Sequence, residues 1–300
     1  YNTMLRLSKY MKRLAHTSDQ LCPLTDDDLK RLQNHLLGMF LDIARVCDKH
    51  GIRVMMCSGS ALGAVRHGGF IPWDDDLDVM MLREDYDRFL AIAPAELAGR
   101  YEIMAPGLPG ETKALFAKVV DTHTVFSELS DLRAPYPQGV FIDIFPLEYL
   151  PANPVVRSVK HFIANGLVGI TRFTAMYRFR NPEFRRYMSG TRALRWHYRV
   201  RLGLGWCFSF LSHRTWCRIF DRFVRSAPST RVHYPGVSYK WKGFPLAAIL
   251  PVGTASFDGH RVPVPHDPHT YLTCVYGDYM KIPPVEQRER HYVVEFRLPV

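Results

Sequence analysis

The segment WDDDLDVMM, residues 73–81, concentrates acidic side chains just before an apolar run: Asp74, Asp75, Asp76 and Asp78. Like charges this close raise one another's pKa, so the segment is either a solvated turn or a cation site. An EF-hand calcium loop needs Gly at its sixth position, where this chain has Val79, so that class of site is excluded. In a strand, alternate residues face one side. Asp76 and Asp78 together can therefore hold Mg²⁺ or Mn²⁺ beside a substrate phosphate.

Two further features predict a phosphate beside these carboxylates. Asp143 lies in the apolar run IDI, where a lone carboxylate is costly to bury unless a metal ion or a donor compensates it. Gly59 and Ser60 form a turn at the start of a short helix, whose N–H groups can bind phosphate. A Gly-Ser turn, an Asp-x-Asp strand and a third Asp on a later strand are the arrangement of the nucleotidyltransferase superfold, in which carboxylates hold one or two Mg²⁺.

The elements that must position these residues alternate between helix and strand patterns. Thr25 to His50 starts with acidic residues and continues with apolar residues at helical spacing, which predicts a long helix. Further helices are predicted over 61–67 and 83–97, and strands over 52–57, 77–81, 116–126 and 139–151. The pattern predicts an α+β fold: a nucleotidyltransferase-like mixed-sheet core with flanking helices and an inserted basic helical segment.

The net charge of +10 is concentrated in one part of the 300-residue chain. Residues 172–225 contain 13 arginines, no lysine and two acidic residues, so the rest of the chain is close to neutral. This aromatic-rich segment predicts basic amphipathic helices that favour anionic partners. We expect a catalytic core with an N-terminal helix over residues 1–154, a basic helical insertion over 155–234 and a C-terminal part, 235–300, that completes the catalytic domain.

Cysteine content and hydropathy indicate the cellular compartment of the protein. The six cysteines form no CxxC pair, so neither a zinc knuckle nor a redox motif is indicated, and Cys47 and Cys57 are expected in the core. No apolar run reaches the roughly 18 residues that span a bilayer. Residues 1–16 lack the uninterrupted apolar core of a signal peptide. These features predict a protein of the reducing cytoplasm.

Three blocks of the chain resemble the LicD family of phosphocholine transferases. The first and longest is SGSALGAVRHGGFIPWDDDLDVMMLREDYDRF, and the others are FIDIFPLEYLP and YLTCVYGDYMKIPP with QRERHY. The blocks occur in the family's order, and the resemblance covers roughly residues 35–150 and 240–292. The arginine-rich segment matches no motif of the family.

The resemblance implies roles for individual residues. Asp76 and Asp78 would bind the metal, with Asp74 and Asp75 supporting them, and Asp143 would be a third ligand or the base for the acceptor hydroxyl. The implied phosphate-binding residues are Gly59, Ser60, Arg66 and Lys118. His67 is as well suited to packing or capping as to touching substrate. His291 matches a position that usually has a second His beside it, where this chain has Tyr292.

The chemistry implied by the resemblance is transfer from a CDP-linked alcohol. An acceptor hydroxyl attacks the phosphorus that bears the alcohol, and CMP leaves, with positioning and charge neutralisation as the main contributions of the protein. Choline favours a cage of aromatic faces. Trp73, Tyr276 and Tyr279 are candidates for such a cage, and ordinary core packing is the alternative role for each of them. Donors carrying ribitol or glycerol phosphate, and transfer of the NMP itself, would use the same carboxylates.

The partners expected from these features are a CDP-alcohol donor, a cell-surface glycan or its lipid-linked precursor as acceptor, and an anionic membrane surface. The basic segment predicts attachment to the inner face of the membrane. A nucleic-acid-binding protein is the alternative of a different class, because basic and aromatic residues also bind single strands. The apolar runs of the segment, such as LGLGWCFSFL, make nucleic acid the less favoured partner.

Overall fold

The computed structural model describes residues 21–22, 24–129, 134–235, 243–288 and 290–299; the N-terminal segment assessed above for a signal peptide lies outside these ranges. The helices are α1 (Asp26–Lys49), α2 (Ser58–Arg66), α3 (Arg83–Glu96), α4 (Pro154–Arg178), α5 (Pro182–Met188), α6 (Arg192–Cys207), α7 (His213–Val224) and α8 (Pro268–Tyr276). The strands are β1 (Met55–Met56), β2 (Asp78–Leu82), β3 (Tyr101–Met104), β4 (Ala117–Asp121), β5 (Val125–Glu128), β6 (Phe141–Tyr149), β7 (Arg231–His233), β8 (Phe244–Pro245), β9 (Gly253–Phe257), β10 (His260–Val264) and β11 (Val293–Arg297).

Seven of the described strands form a mixed sheet that positions the site. Its main path runs β1-β2-β6-β4-β3, with β7 beside the end of β6 and β8 beside β7. Strands β2 and β6 are parallel, whereas β6 and β4 are antiparallel. Outside this sheet, β9 pairs with β10 and β5 pairs with β11. The predicted α+β class with a mixed sheet and flanking helices is therefore confirmed.

Helix α1 begins and ends where the sequence predicts. The Thr25 side chain accepts a hydrogen bond from the backbone N–H of Asp28, and the Asp28 carboxylate accepts one from the backbone N–H of Thr25, which is a capping box. Its apolar face, centred on Leu36, Phe40 and Ile43, is fully buried in the main core. The helix therefore covers the sheet with the residues whose spacing predicted it.

Two predicted strands differ from the observed ones. The stretch 116–126 is not one strand but two, because the Asp121 carbonyl and carboxyl oxygens accept hydrogen bonds from Thr124 and His123 and form a turn. β-branched residues occupy that turn as well as the strands, so composition alone did not reveal it. The strand predicted over 52–57 pairs only at Met55 and Met56. Cys47 and Cys57 are buried in the core as predicted.

Residues 154–224 form the predicted group of basic helices, α4 to α7. Helices α4 and α7 share a small core of their own that includes Val168 and Phe220. A buried ion-pair network joins this group to the sheet: Arg83, at the start of α3, contacts Glu148 of β6 and lies 3.0 Å from Asp221 of α7. Within the described ranges, no helix combines the length and apolar character needed to cross a membrane.

Candidate active site

Three charged side chains form a row across the sheet. Asp78 on β2 is the register partner of Asp143 on β6, and Asp143 is the register partner of Lys118 on β4. Paired residues of neighbouring strands point to the same face, so the three side chains lie side by side. The Lys118 Nζ atom is 2.7 Å from Asp143 Oδ1 and 3.4 Å from the centre of the Phe141 ring. The compensation that Asp143 was expected to need is therefore supplied, in this structure, by Lys118.

The aspartates that precede β2 serve two purposes. Asp74 and Asp76 share a hydrogen bond between their carboxyl groups and line a cleft in front of the row. Asp75 is only 4% exposed and accepts hydrogen bonds from the backbone N–H of His291 at 2.9 Å and from its ring Nδ1 at 3.0 Å. Asp75 and His291 therefore join the C-terminal segment to the aspartate loop, which is a positioning role.

The carboxylates of the cleft repel one another. Desolvation, followed by repulsion from Asp76, raises the pKa of Asp74 and of Asp78 well above the usual range. Desolvation also raises the pKa of Asp76 to about 6, although His291 acts in the opposite direction. Burial disfavours the charged form of His291, but its hydrogen bond with Asp75 and the charge of Glu128 raise its pKa to about 10. A divalent cation would relieve this repulsion, because an opposite charge favours ionised carboxylates.

The donor set fits magnesium through two carboxylates. Mg²⁺ usually binds to proteins through one or two carboxylates and takes its other ligands from water and substrate phosphates. Asp76 and Asp78 offer hard oxygen donors in the cleft. In the part of the chain that the structure describes, no three His, Cys, Asp or Glu side chains converge as a metal site. The residues thus fit a cation that Asp76 and Asp78 hold and a phosphate completes, with Asp143 paired to Lys118.

The Gly59-Ser60 turn lies against these carboxylates. A Cβ atom at position 59 would be 2.8 Å from Asp74 Oδ2, so only glycine fits there without a shift. The Ser60 hydroxyl accepts a hydrogen bond of 2.8 Å from the backbone N–H of Asp78 and thereby links the turn to β2. Ser58 has φ +47, a left-handed conformation that is strained for a residue with a side chain. Its N–H donates to the Tyr271 hydroxyl at 2.9 Å, and this bond holds the turn in place.

The sequence that builds this cleft matches a known family. Residues 51–153 match the model described as the LicD/FKTN/FKRP nucleotidyltransferase domain. This chain carries a LicD domain. A lipopolysaccharide cholinephosphotransferase of Haemophilus influenzae, LicD, is 26% identical to the chain over 265 residues, which are 83% of this chain and 90% of that protein. The resemblance inferred from the sequence blocks is confirmed by both findings.

Two rickettsial proteins are also similar to this chain over shorter stretches. An uncharacterized protein of Rickettsia typhi is 42% identical over 59 residues, which are 20% of this chain and 19% of that protein. An uncharacterized protein of Rickettsia prowazekii is 27% identical over 158 residues, which are 45% of this chain and 59% of that protein.

Arg66 and His67 of the LicD domain contact protein groups. The Arg66 guanidinium donates to the Tyr279 carbonyl at 2.6 Å and to the Lys281 carbonyl at 3.5 Å, so it holds the segment after α8 against α2. The His67 ring lies edge-on to the Trp73 ring, with the ring centres 6.3 Å apart. Burial, and then the charge of Arg66, lowers the pKa of His67. His67 therefore packs, which is one of the two roles expected of it, while Arg66 also faces the cleft.

The three aromatic candidates all line the cleft but differ in their surroundings. The Arg288 guanidinium carbon is 3.9 Å from the centre of the Trp73 ring, so one face of this ring already contacts a cation. The Tyr279 side chain is buried, and its hydroxyl bonds to His269 Nδ1 at 3.0 Å. For Tyr276, burial, followed by the charge of Asp78, raises the pKa. The Tyr276 hydroxyl is therefore close enough to the carboxylates to be affected by their charge.

The cleft in front of the LicD carboxylates has a volume of about 940 Å³. Of the residues predicted for the site, it is lined by Gly59, Arg66, Trp73, Asp74, Asp75, Asp76, Asp78, Tyr276, Tyr279 and His291. Ser60, His67 and Asp143 lie behind this lining, and Lys118 lines a smaller neighbouring cavity of about 30 Å³.

Several residues of the cleft region were not predicted from the sequence. Among them, Lys281, Arg288 and Arg290 line the cleft and supply positive charge in it. The block QRERHY contained two of them, but nothing in its spacing indicated that they face the DLD segment more than 200 positions earlier. Tyr271, which holds Ser58, was equally hidden within the apolar side chains of α8.

Proposed function

We propose that this chain is a magnesium-dependent LicD-type transferase that moves phosphocholine from CDP-choline to a hydroxyl of a glycan and releases CMP. The observation that carries the proposal is the register of Asp78 beside Asp143, with Asp76 and the Gly59 turn at the edge of the same cleft. The similarity to a lipopolysaccharide cholinephosphotransferase supports the reaction class and the alcohol. A nucleotidyltransferase-like core is part of this proposal, since the carboxylates lie on neighbouring strands of one sheet.

The cleft supplies each group that the reaction requires. Magnesium, held by Asp76 and Asp78, would neutralise the charge of the donor's phosphates. Arg288 and Arg290 also line the cleft and can bind the pyrophosphate oxygens, since guanidinium groups match phosphate geometry. The N–H groups at the start of α2 lie beside Asp74 and offer donors to the same phosphates. Binding is therefore divided between a metal, a helix start and a basic wall.

Asp143 is the residue that we assign to the acceptor. The acceptor oxygen attacks the phosphorus that bears choline, its proton passes to the Asp143 carboxylate, and the bond from this phosphorus to the CMP oxygen breaks. The Lys118 ammonium, 2.7 Å from Asp143 Oδ1, orients this carboxylate. An in-line attack needs the acceptor oxygen to approach the phosphorus on the side away from CMP, and we propose that Asp143 borders that side.

The glycan acceptor places the reaction near a membrane. The similar protein of H. influenzae is named for lipopolysaccharide, which is a lipid-linked glycan. We propose a cytoplasmic enzyme that attaches peripherally to the inner face of the membrane through its basic helices, where it meets such an acceptor. The charge of residues 172–225 supports this location, because basic residues are attracted to anionic lipids.

The experiment that tests the donor is release of CMP from a panel of CDP-alcohols in the presence of Mg²⁺ and a lipopolysaccharide acceptor. We expect CDP-choline to give a kcat/KM at least tenfold above those of CDP-ribitol and CDP-glycerol. Preference for CDP-ribitol or CDP-glycerol would contradict the choline assignment while leaving the carboxylate assignment intact. Appearance of CMP on the acceptor, instead of free CMP, would identify a nucleotidyltransferase and contradict the reaction class.

A further inference from the structure

Helix α6 packs on the protein through a narrow strip. Tyr198 and Gly205 are the two buried residues of this fully described helix. Gly205 lies so close to α4 that a side chain there would collide with the Phe173 backbone. At about 100° per residue, these two positions fall on one side of the helix. The opposite side faces solvent.

The solvent side of α6 is apolar. It carries Ala193, Trp196, Val200 and Leu204, which are spaced three or four positions apart and are all exposed, Trp196 by 68%. An amphipathic helix of a water-soluble protein normally directs such a stripe toward the core. In α6 the stripe is reversed, and Trp206 and Phe210, near the end of the helix, are exposed as well.

Basic side chains border this stripe on both sides. Arg192, Arg195 and Arg199 project on one flank, and Arg201 on the other, by the same helical geometry. Helix α6 contains no acidic residue. An apolar face with exposed Trp and basic flanks is the pattern of a helix that lies in the plane of a membrane interface.

We propose that the outer face of α6 is the membrane-docking surface, with Trp196 and its stripe among the lipid chains and the four arginines at anionic headgroups. This inference deepens the peripheral attachment proposed above and rests on it. Charge complementarity selects this occupant: two copies of α6 facing each other would bring eight arginines together. A nucleic acid strand would satisfy the arginines but would leave the aliphatic side chains Val200 and Leu204 in water.

The docking surface is joined to the catalytic sheet through α7. The His213 ring, at the start of α7, bonds to the Thr112 carbonyl at 3.0 Å, and Arg214 donates to the Leu108 carbonyl at 2.8 Å. Both carbonyls belong to the loop that leads into β4, the strand of Lys118. Helix α7, which follows α6 in the chain, therefore contacts the loop that leads to the strand of Lys118.

The test is co-sedimentation of the full chain with vesicles of phosphatidylcholine alone or with 30% phosphatidylglycerol, at about 0.1 M salt. We expect binding to the anionic vesicles only, weakened at least tenfold by Trp196→Ala and by the double variant Arg195→Gln/Arg199→Gln. The matched control is Phe162→Ala, which removes an 80% exposed aromatic residue from α4, and it should bind as wild type does. Circular dichroism and unchanged thermal midpoints would establish that the α6 variants fold.

The outcomes separate the possible errors. If wild-type protein binds anionic vesicles but Phe162→Ala weakens binding and Trp196→Ala does not, the docking face is wrong while peripheral attachment stands. If wild-type protein fails to sediment with anionic vesicles yet releases CMP from CDP-choline, the attachment and the docking face are both wrong and the enzymatic proposal stands. Binding to a single-stranded oligonucleotide without vesicle binding, or a dimer that Trp196→Ala dissociates, would also overturn the inference.

Discussion

Asp78 lies directly beside Asp143, because the strands that carry them, β2 and β6, are parallel neighbours in register. Burial, followed by repulsion from Asp76 and then from Asp143, raises the pKa of Asp78 well above its usual range. A protein that keeps such a pair sacrifices stability at that point. The proposed cation would explain the arrangement, because it needs negative charges close together in one place.

Replacement of Asp76 or Asp78 should therefore separate activity from stability. We expect Asp76→Asn and Asp78→Asn each to lower kcat by at least a factor of about 100, by analogy with the loss of one electrostatic contact at a reacting phosphate. Each variant should unfold at the same temperature as wild type or higher, because like-charge repulsion is removed. Calorimetry and CMP release, with exposed Asp48→Asn as control, give both readouts. A well-folded Asp78→Asn enzyme with the wild-type rate would refute the role of this residue.

Arg288 and Tyr276 should recognise different parts of the CDP-alcohol donor. Arg288→Gln should raise KM about tenfold for every CDP-alcohol, because it removes a cation from the pyrophosphate that all donors share. Tyr276→Leu should raise KM for CDP-choline and leave that for CDP-glycerol within about twofold, since a cation–π contact contributes ~0.5–2 kcal/mol to choline alone. Steady-state kinetics with both donors compares the two variants. Equal effects of Tyr276→Leu on both donors would show that this ring is not part of a choline cage.

The bond between Ser58 and Tyr271 should govern the shape of the phosphate-binding turn. Tyr271→Phe should lower kcat about tenfold, because the Ser58 N–H loses the acceptor that opposes its strained φ of +47. Ser58→Gly should relieve ~1 kcal/mol of backbone strain and restore part of the activity when it is combined with Tyr271→Phe. A double-mutant cycle of kcat and unfolding free energy measures this coupling. Additive effects of the two substitutions would mean that the bond does not hold the turn.

Buried His233 should make folding stability depend on mildly acidic pH. Burial, followed by the charge of Lys160, lowers the pKa of His233 to about 3, whereas an unfolded histidine titrates near ~6.5. The groups around it are Lys160 and His161 of α4 and its register partner Glu148 of β6. The unfolded state binds the proton of this histidine more tightly than the folded state does. The contribution of His233 to folding stability is therefore fully present above pH ~6.5 and is lost as the pH falls toward 3.

Chemical denaturation at two pH values tests this dependence. The unfolding free energy of wild type should fall by about 1–2 kcal/mol between pH 7.5 and 5.0 through this residue. His233→Gln should reduce that fall, while His260→Gln at an exposed position should leave it unchanged. An identical pH dependence in His233→Gln and wild type would exclude His233 as the cause.

The sequence predicted those parts of the fold whose determinants are local. The capping box at Thr25, the DLD strand and the helices of residues 154–224 follow from residue types and spacing within one element, and the structure contains them. The Lys118–Asp143 ion pair cannot be predicted from one element, because it depends on the register of β4 against β6, which tertiary packing sets. The stack of Arg288 on Trp73 and the bond of Tyr271 to Ser58 join residues more than 200 positions apart. Such contacts carry no local signal, so the roles of Arg288 and Tyr271 were found only in the structure.

The outer face of α6 was hidden for a related reason. The arginines and tryptophans of this segment were visible in the sequence, and they predicted basic amphipathic helices at a membrane surface without indicating which face of each helix is exposed. The direction of a helix depends on which neighbour it meets, and here α4 contacts the Gly205 side and leaves the Trp196 side exposed. Periodicity indicates that a stripe exists but does not indicate which way it faces.

The central claim is best tested by tracing the phosphocholine group itself. CDP-choline labelled in the choline methyl groups is incubated with lipopolysaccharide and Mg²⁺, and both the labelled glycan and free CMP are quantified for wild type and Asp78→Asn. The account predicts one labelled choline on the glycan per CMP released by wild type, no transfer after chelation of the metal, and no transfer by folded Asp78→Asn. Transfer of the label by the Asp78→Asn variant at the wild-type rate, or release of CMP with no label on any glycan, would contradict it.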